Sequence, residues 1–395
     1  MKILLINHFP LEGSGSGIYT KNIATSLTKK GHQVCIIMPE NRKIKEIEKI
    51  KLHPVYFKDK EEIINQLLFN FPCFTTHPYS NKTFYDLTDN ELEQYKQKFI
   101  EAIKDEVDTF NPDIIHSNHI WILSSIAANF DKPLIVTMHG TDLIGYNKTK
   151  KYDKEILNVL SNAKKIITVS KDNYRLLNTV FPNVSNKTVL IPNGYNDKVF
   201  FLQTYNKEEV LKELKINKKY NKIITYVGKL VEVKGIDILL KAATLYQRED
   251  ILTLIAGEGV LLESLQKMAK ELKLKNVEFI GNQTQENLRK IYNISDVVVV
   301  PSRSEAFGLV IIESLACGTP VIGSNVGGIP DIITPKTGIL FDENDYIGLA
   351  QNILNIINNK LIFDSKFIAQ STKDKYSQDK IIDNVIDVYK KVKNR

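Results

Sequence analysis

Hydrophobic residues along the chain fall into short apolar runs separated by longer stretches in which they recur every three or four positions. Short apolar runs bounded by polar turns indicate buried strands, and the wider spacing indicates amphipathic helices. In the first half of the chain this pattern predicts strands at residues 2–7, 33–38, 114–116, 134–137 and 165–169. In the second half it predicts strands at residues 223–228, 252–256, 277–280, 297–301, 321–324 and 338–341.

Helical patterns lie between the predicted strands, for example over residues 18–30, where Gly31 follows as a helix-ending residue. Strands that alternate with helices are typical of parallel α/β sheets. The alternation is interrupted at Ile191-Pro192-Asn193-Gly194, where Pro and Asn-Gly both favour a turn, and then starts again. The sequence therefore predicts two doubly wound α/β domains, over 1–191 and 198–375, with a cleft between them.

Two segments fall outside this alternation. Residues 40–100 have the least regular pattern, and we interpret them as an insertion near the site. An amphipathic pattern over 373–393 predicts a last helix. We assign this helix to about 376–395 and expect it to pack back on the first domain.

Composition excludes several classes of protein. A chain of 395 residues, 43% hydrophobic and 25% charged, suits two globular domains and not a disordered, collagen-like or disulfide-rich protein. No apolar run approaches the ~20 residues of a membrane-spanning helix, and Asn7 and His8 come too early for a signal peptide. Three dispersed cysteines favour a reducing, cytoplasmic location and argue against a cysteine metal site.

The net charge of +7 is spread along the chain. A nucleic-acid-binding protein usually shows a basic stripe with interleaved aromatic residues, so we expect no nucleic-acid partner. A mild basic excess fits an anionic small substrate or a peripheral contact with an anionic membrane, and both stay open.

The segment 296–320 carries the clearest chemical signal. Four valines form a strand buried on both faces, a Pro-Ser-Arg-Ser turn follows, and a helix begins near Phe307-Gly308. Free amides at a helix N-terminus beyond a parallel strand attract phosphate, and Gly308 lets an oxygen approach the backbone. Carboxylates accept hydrogen bonds from vicinal hydroxyls, so Glu313 suits a ribose and Glu305 a sugar. Taken alone, Glu305 is equally well explained by a favourable interaction with the helix dipole, and Glu313 by a position on a solvated face.

Two further elements lie at predicted strand ends. Lys229 and Lys234 follow Gly228, and two cations at the end of a strand can neutralise a diphosphate leaving group, although each alone is typical of a surface lysine. Gly13-Ser14-Gly15-Ser16-Gly17 is a glycine-rich turn suited to phosphate or substrate, but it lacks the Lys-Ser/Thr of a Walker A motif. Glu40, after a proline, is the one acidic candidate for a nicotinamide ribose.

The segment resembles a known family. The run from Ser304 to Glu313, with Ala316-Cys317-Gly318-Thr319-Pro320 and Gly327-Gly328-Ile329-Pro330 after it, is similar to the Glu-x7-Glu signature of retaining family 4 glycosyltransferases with the GT-B fold. The likeness extends over nearly the whole chain, apart from 40–100 and the extreme C-terminus. It implies that Glu305 contacts the donor sugar and that Glu313 binds the ribose. It also implies that the diphosphate is held by backbone amides of Phe307, Gly308, Leu309 and Val310.

The resemblance assigns the other candidates as well. Lys229 stands where the family usually has arginine, so it supplies charge without a two-pronged contact, and Lys234 is the downstream lysine. His139 is implied to lie beside the transferred sugar, near its 6-hydroxyl, although a lone histidine is more often structural. The remaining residues are implied to border the donor: Gly15, Ser16 and Gly17 near its phosphate, and Gly228, Gly257 and Asn282 around the phosphate and nucleoside.

Within the family, three strings resemble the N-acetylglucosaminyl–malate synthases of bacillithiol biosynthesis: Gly15-Ser16-Gly17-Ile18, His139-Gly140-Thr141-Asp142 and Gly281-Asn282-Gln283. The resemblance implies a nucleotide-sugar donor, a UDP-sugar such as UDP-N-acetylglucosamine or UDP-glucose, and an acceptor that is a small molecule, a lipid or a glycan. No Asp-x-Asp motif is present, so we expect no metal and no cofactor, with lysines and helix N-termini in the metal's place.

Alternatives stay open at this stage. A nucleotide-sugar epimerase or phosphorylase with the GT-B fold is one, and a non-catalytic nucleotide-sugar-binding protein is another. The oligomeric state is also open, a homodimer included. Because the implied donor and acceptor residues lie on different predicted domains, we expect the cleft to close when nucleotide binds.

Overall fold

The structure is a computed structural model that describes residues 1–59, 63–75 and 77–394. These residues form two compact units. The first unit contains Met1–Asn193 together with the residues from Gln378 onward, and the second contains Gly194–Ser377. The chain therefore passes from one unit to the other twice.

The first unit is a parallel sheet of seven strands in the order β3-β2-β1-β4-β5-β6-β7. The strands are β1 (Lys2–Ile6), β2 (Gln33–Glu40), β3 (Ile50–Tyr56), β4 (Ile114–Asn118), β5 (Leu134–Met138), β6 (Lys165–Thr168) and β7 (Thr188–Leu190). The helices between them are α1 (Gly15–Lys29), α2 (Asp89–Thr109), α3 (Ile122–Ala127), α4 (Thr141–Lys148), α5 (Asp153–Asn162) and α6 (Lys171–Val180).

The sheet is covered on both faces because side chains along a strand alternate in direction. In β1, Leu4 packs in the cluster that contains Phe99 of α2, whereas Ile3 packs in the cluster that contains Ile23 of α1. Strand order reverses between β1 and β4, which is where ligands bind in sheets of this kind.

The second unit is a parallel sheet of six strands in the order β10-β9-β8-β11-β12-β13. The strands are β8 (Lys222–Val227), β9 (Ile251–Ala256), β10 (Val277–Gly281), β11 (Val297–Val300), β12 (Val321–Ser324) and β13 (Gly338–Phe341). The helices are α7 (Lys207–Glu213), α8 (Ile236–Tyr246), α9 (Leu262–Glu271), α10 (Gln285–Ile294), α11 (Leu309–Ala316), α12 (Ile329–Ile332), α13 (Tyr346–Ile357) and α14 (Ser365–Tyr376). Here the order reverses between β8 and β11.

The last helix, α15 (Gln378–Lys393), belongs to the first unit. Its apolar face, including Ile382 and Val385, packs in the cluster that contains Ile3 and Ile23. At its far end the Tyr389 hydroxyl lies 2.6 Å from Nδ1 of the buried His116.

The prediction of two doubly wound α/β halves is confirmed, but several predicted elements are wrong in detail. Residues 40–100 contain a strand, β3, and most of a long helix, α2. The predicted helix 373–393 is two helices separated at Ser377. Helix α1 begins at Gly15 and not at residue 18, because the Ser14 side chain caps it by accepting from Gly17 N, 3.0 Å away.

Along the described parts of the chain, no helix is both long enough and apolar enough to cross a membrane.

Candidate active site

The predicted donor residues of the second unit lie at the carboxyl ends of its strands. Loops after β8 and β11 meet where the strand order reverses, and these loops carry Lys229 and Lys234 on one side and Glu305 on the other. A crevice at this position is where open parallel sheets bind their ligands.

Lys234 and Glu305 form a direct ion pair. Lys234 Nζ donates to Glu305 Oε2 at 2.6 Å, and both side chains are mostly shielded from solvent. The structure thus joins two residues that the sequence analysis named separately. A cation held beside a carboxylate can bind a phosphate while the carboxylate accepts from a sugar hydroxyl.

Lys229 lies on the exposed surface directly after Gly228. Its carbonyl oxygen accepts from the Tyr226 hydroxyl at 2.9 Å, which fixes the backbone from which the side chain projects. Its ammonium group is therefore presented from the loop after β8, the loop that also leads to Lys234.

The loops after β8, β9 and β10 are tied to one another through their backbones. Gly228 N donates to Ala256 O at 3.0 Å, and Gly257 N donates to Gly281 O at 2.8 Å. A Cβ atom on Gly257 would lie 1.8 Å from Gly228 O, so the approach requires glycine. Asn282 donates through Nδ2 to the Glu258 carboxylate at 2.9 Å, which links the third loop to the second.

Helix α11 directs its N-terminus toward the same crevice. Gly308 is its N-cap, with φ of +101°, and Phe307 before it is buried against Tyr376, with 6.1 Å between ring centroids. Leu309 and Val310 open the first turn, where backbone amides have no partner within the helix. Those amides and the helix dipole form a site suited to an anion.

Glu313 lies one turn further into α11, and its Oε2 accepts from the Tyr292 hydroxyl at 3.3 Å. Burial raises the pKa of Glu313 to about 8. The carboxyl group is therefore mostly protonated at neutral pH, whereas the sequence analysis treated it as a carboxylate.

In the first unit, His139 follows β5 and is held by two polar residues. Its Nε2 lies 2.8 Å from Asn118 Oδ1, and its backbone N donates to Asp142 Oδ1 at 3.2 Å. Asn118 Nδ2 donates to Ile6 O and Thr20 Oγ1, so Oδ1 is the acceptor for His139, and the proton of the imidazole is on Nε2. Burial lowers the pKa of His139 to about 3, so Nδ1 is left as a neutral acceptor.

Asp142 is a further polar residue of this site that was not predicted from the sequence, although it lies in the string His139-Gly140-Thr141-Asp142. Asp142 is fully buried and also accepts from His119 Nδ1 at 3.0 Å and from Ile120 N at 2.9 Å. Burial alone would raise the pKa of Asp142, but His119 and these hydrogen bonds hold it at about 2. An Asp three residues after a strand-end His, in the first turn of a helix, is the signal that could have identified it.

Gly15, Ser16 and Gly17 form the first turn of α1, the helix that follows β1 in the chain. Gly17 N is taken by the Ser14 cap, and a Cβ on Gly17 would lie 2.2 Å from Pro10 O. Close packing against Pro10 therefore explains why residue 17 is a glycine. The amides of Gly15 and Ser16 have no acceptor within the helix.

Among the described residues, His53, Asp105 and Glu106 place three potential metal ligands within 4.8 Å of one another. Lys51 Nζ is bound to Glu106 at 2.7 Å and already balances its charge. These residues lie on β3 and α2, away from the strand-end loops described above. We therefore interpret them as a structural network of ion pairs and hydrogen bonds, not as a metal site.

Comparisons with known proteins match both halves of the chain. The family model described as Glycosyltransferase Family 4 matches residues 13–199, and the model described as Glycosyl transferases group 1 matches residues 206–374. The N-acetyl-alpha-D-glucosaminyl L-malate synthase of Bacillus anthracis is 26% identical over 97% of this chain and 95% of that enzyme.

Two solved structures share the fold over almost their full length. Sucrose-phosphate synthase from Thermosynechococcus elongatus aligns with a TM-score of 0.78 at 23% identity and covers 99% of both chains. HepE of Anabaena, in complex with UDP and glucose, aligns with a TM-score of 0.75 at 17% identity, covering 98% of this chain and 99% of that one.

Proposed function

We propose that this chain, which belongs to the family 4 glycosyltransferases, moves a sugar from a UDP-sugar donor to an acceptor hydroxyl with retention of configuration. The observation that carries the proposal is the Lys234–Glu305 pair, which lies at the sheet crevice where the N-terminus of α11 also lies. Positive charge for a diphosphate and a carboxylate for a sugar are thereby held together.

The second unit is proposed to bind the donor and stabilise the leaving group. Lys229, Lys234 and the first amides of α11 would meet the diphosphate, whose negative charge grows as the bond to the sugar breaks. When Lys234 turns to phosphate, Glu305 is freed to accept from sugar hydroxyls. Because lysines and a helix N-terminus supply the positive charge, the proposal requires no divalent metal ion.

The choice of donor is supported by two likenesses. HepE of Anabaena is described in complex with UDP and glucose, and the relative from Bacillus anthracis is named for N-acetylglucosamine and malate. A UDP-hexose such as UDP-glucose or UDP-N-acetylglucosamine is therefore the proposed donor.

The first unit is proposed to supply the acceptor side of the reaction. The neutral imidazole of His139 offers Nδ1 as an acceptor for a sugar hydroxyl. In the proposed step the acceptor oxygen bonds to the anomeric carbon on the face from which the diphosphate leaves, and the acceptor proton passes to the departing phosphate oxygen. The protein then acts mainly by orienting the reactants and stabilising charge.

The test is incubation of the purified protein with a panel of UDP-sugars and acceptors, with and without EDTA, and NMR of the product to identify the anomer. Transfer with retention supports the proposal, and epimerisation or phosphorolysis would replace it with another reaction. Binding of UDP-sugars without turnover on any acceptor would indicate a binding protein. Inactivation by EDTA, restored by magnesium, would overturn the metal-free mechanism.

Lys234→Ala is the variant for this test, and Lys267→Ala, on the exposed face of α9, is its matched control. We expect the first to lower turnover more than it weakens donor binding, because the lost charge acts mainly on the leaving group. The control should match the wild type.

A further inference from the structure

Arg303, in the turn after β11, donates hydrogen bonds within the protein from all three nitrogens of its guanidinium group. Its Nη1 and Nη2 donate to the two carboxylate oxygens of Asp237 at 2.9 and 2.8 Å. Nη1 also donates to Glu232 O at 2.7 Å, and Nε donates to Asn344 Oδ1 at 3.0 Å. Four of the five N–H groups of a guanidinium are thus engaged within the protein, so Arg303 is poorly placed to bind substrate.

These contacts join the two loops that carry Lys234 and Glu305. Residues Glu232–Lys234 form a single 3-10 turn between β8 and α8, and Asp237 lies in the first turn of α8. The backbone N of Arg303 donates to Val233 O at 2.8 Å, so main chain and side chain hold the same turn.

Gly235 brings the backbone of this turn into direct contact with the end of β11. Its φ is +66°, and a Cβ atom there would lie 1.9 Å from Pro301 O. The turn therefore lies directly on the strand end that leads into Arg303 and Glu305, and small rotations of the turn would move Lys234 relative to Glu305.

We propose that Arg303, clamped by Asp237, is a positioning residue that sets Lys234 against Glu305 and so toward the diphosphate. The effect on catalysis rests on the proposed function, but the placement of Lys234 against Glu305 does not. A planar guanidinium can bind Asp237 in two places and still reach Glu232 O, which an ammonium group cannot do.

The variants are Arg303→Lys and Asp237→Asn, and Arg248→Lys is the matched control. Arg248 makes a similar two-point contact with Asp250 in the same unit, at 3.0 and 3.3 Å, on an exposed loop before β9. A purely structural role for Arg303 predicts similar behaviour of the two arginine variants.

The first measurement needs no substrate. Lysine acylation followed by mass spectrometry reports how well Glu305 protects Lys234. We expect labelling of Lys234 to rise severalfold in Arg303→Lys and Asp237→Asn and to stay unchanged in Arg248→Lys. Unchanged labelling of Lys234 in both Arg303 and Asp237 variants would overturn the proposal, whatever reaction the protein catalyses.

The second measurement is steady-state kinetics with the donor identified by the panel. We expect Arg303→Lys to lower kcat by about 10- to 100-fold, as displacement of a reacting group by roughly 1 Å does, with a donor KM changed less than about threefold. In the Lys234→Ala background Arg303→Lys should cost less than about threefold, because it acts through Lys234. Multiplicative losses would contradict the assignment.

Discussion

Glu313 and His139 both have pKa values moved far from their ordinary range by burial, yet with different consequences. The pKa of Glu313 rises to about 8, so its protonation changes within the range of ordinary experiments. The pKa of His139 falls to about 3, so its imidazole stays neutral throughout that range. Of these two residues, only the glutamate should therefore make donor binding depend on pH.

We expect the affinity for UDP to rise with pH up to about 8 and then to level off, because ionised Glu313 is the form that accepts from ribose and a proton must leave first. Glu313→Gln should lose the part of this rise that comes from the glutamate. Isothermal titration calorimetry of UDP binding to both proteins from pH 6 to 9 tests this prediction. Because the phosphates of UDP titrate equally in both experiments, the difference between the two profiles reports the glutamate. Identical pH profiles would remove Glu313 from the ribose site.

Asp142 holds the backbone of His139 by accepting from His139 N, and it accepts from His119 and Ile120 as well. We expect Asp142→Ala to lower the free energy of unfolding of the first unit by about 3 kcal/mol, because buried donors lose a charged acceptor. Denaturant unfolding measures this. UDP binding, which is proposed for the second unit, is the internal control, and its loss would show that the variant damages more than its own unit.

Some strands could be predicted from the sequence alone, and others could not. Strand β11, with four consecutive valines, and β12 were predicted almost to the residue, because a buried parallel strand is apolar at every position. Strand β3 was missed because it is an edge strand that contains Lys51, His53 and Pro54.

In the candidate site, features that lie close together in sequence could be predicted, but contacts between different loops could not. Glycine and glutamate spacing after β11 located the N-terminus of α11, because a helix start is marked by residues close together in sequence. The pairing of Lys234 with Glu305 and the clamp on Arg303 could not be predicted, since each joins residues from different loops whose approach depends on the sheet. The raised pKa of Glu313 likewise depends on burial and not on its neighbours in sequence.

At the scale of elements, the loops after β8 and β9 depend on the close approach of Gly257 to Gly228. We expect Gly257→Ala to lower the melting temperature and to weaken UDP binding, because its φ of +140° and the short contact both exclude a side chain. Gly15→Ala is the matched control for stability, since nothing lies within 4 Å of its Cβ position. Thermal unfolding without UDP compares these two variants, and UDP binding is compared between Gly257→Ala and the wild type. Equal melting temperatures of the two variants would contradict the packing account.

At the scale of the whole molecule, the first unit is completed by α15. Seven apolar residues of α15 are buried in it: Ile381, Ile382, Val385, Ile386, Val388, Tyr389 and Val392. Lys393 and Lys30 add ion pairs with Asp113 and Asp383, at 2.9 and 2.6 Å.

Truncation after Ser377 should therefore unfold the first unit, because each buried apolar side chain contributes about 1.5–3 kcal/mol against a total stability of about 5–15 kcal/mol. The second unit should keep its UDP affinity. Circular dichroism melts and calorimetry measure the two outcomes, with removal of residues 394–395 alone as the control. An unchanged first unit would contradict the importance of α15.

The discontinuity of the first unit has a consequence for synthesis on the ribosome. Residues 1–193 emerge first, but the helix that covers one face of their sheet is made only after the whole second unit. At roughly 5–20 residues per second, that delay is about 10–40 seconds. During this interval Ile3, Leu5 and Ile23 lack their cover from α15, so the nascent chain presents an apolar strip to chaperones. The unit made second can thus be the first to finish folding.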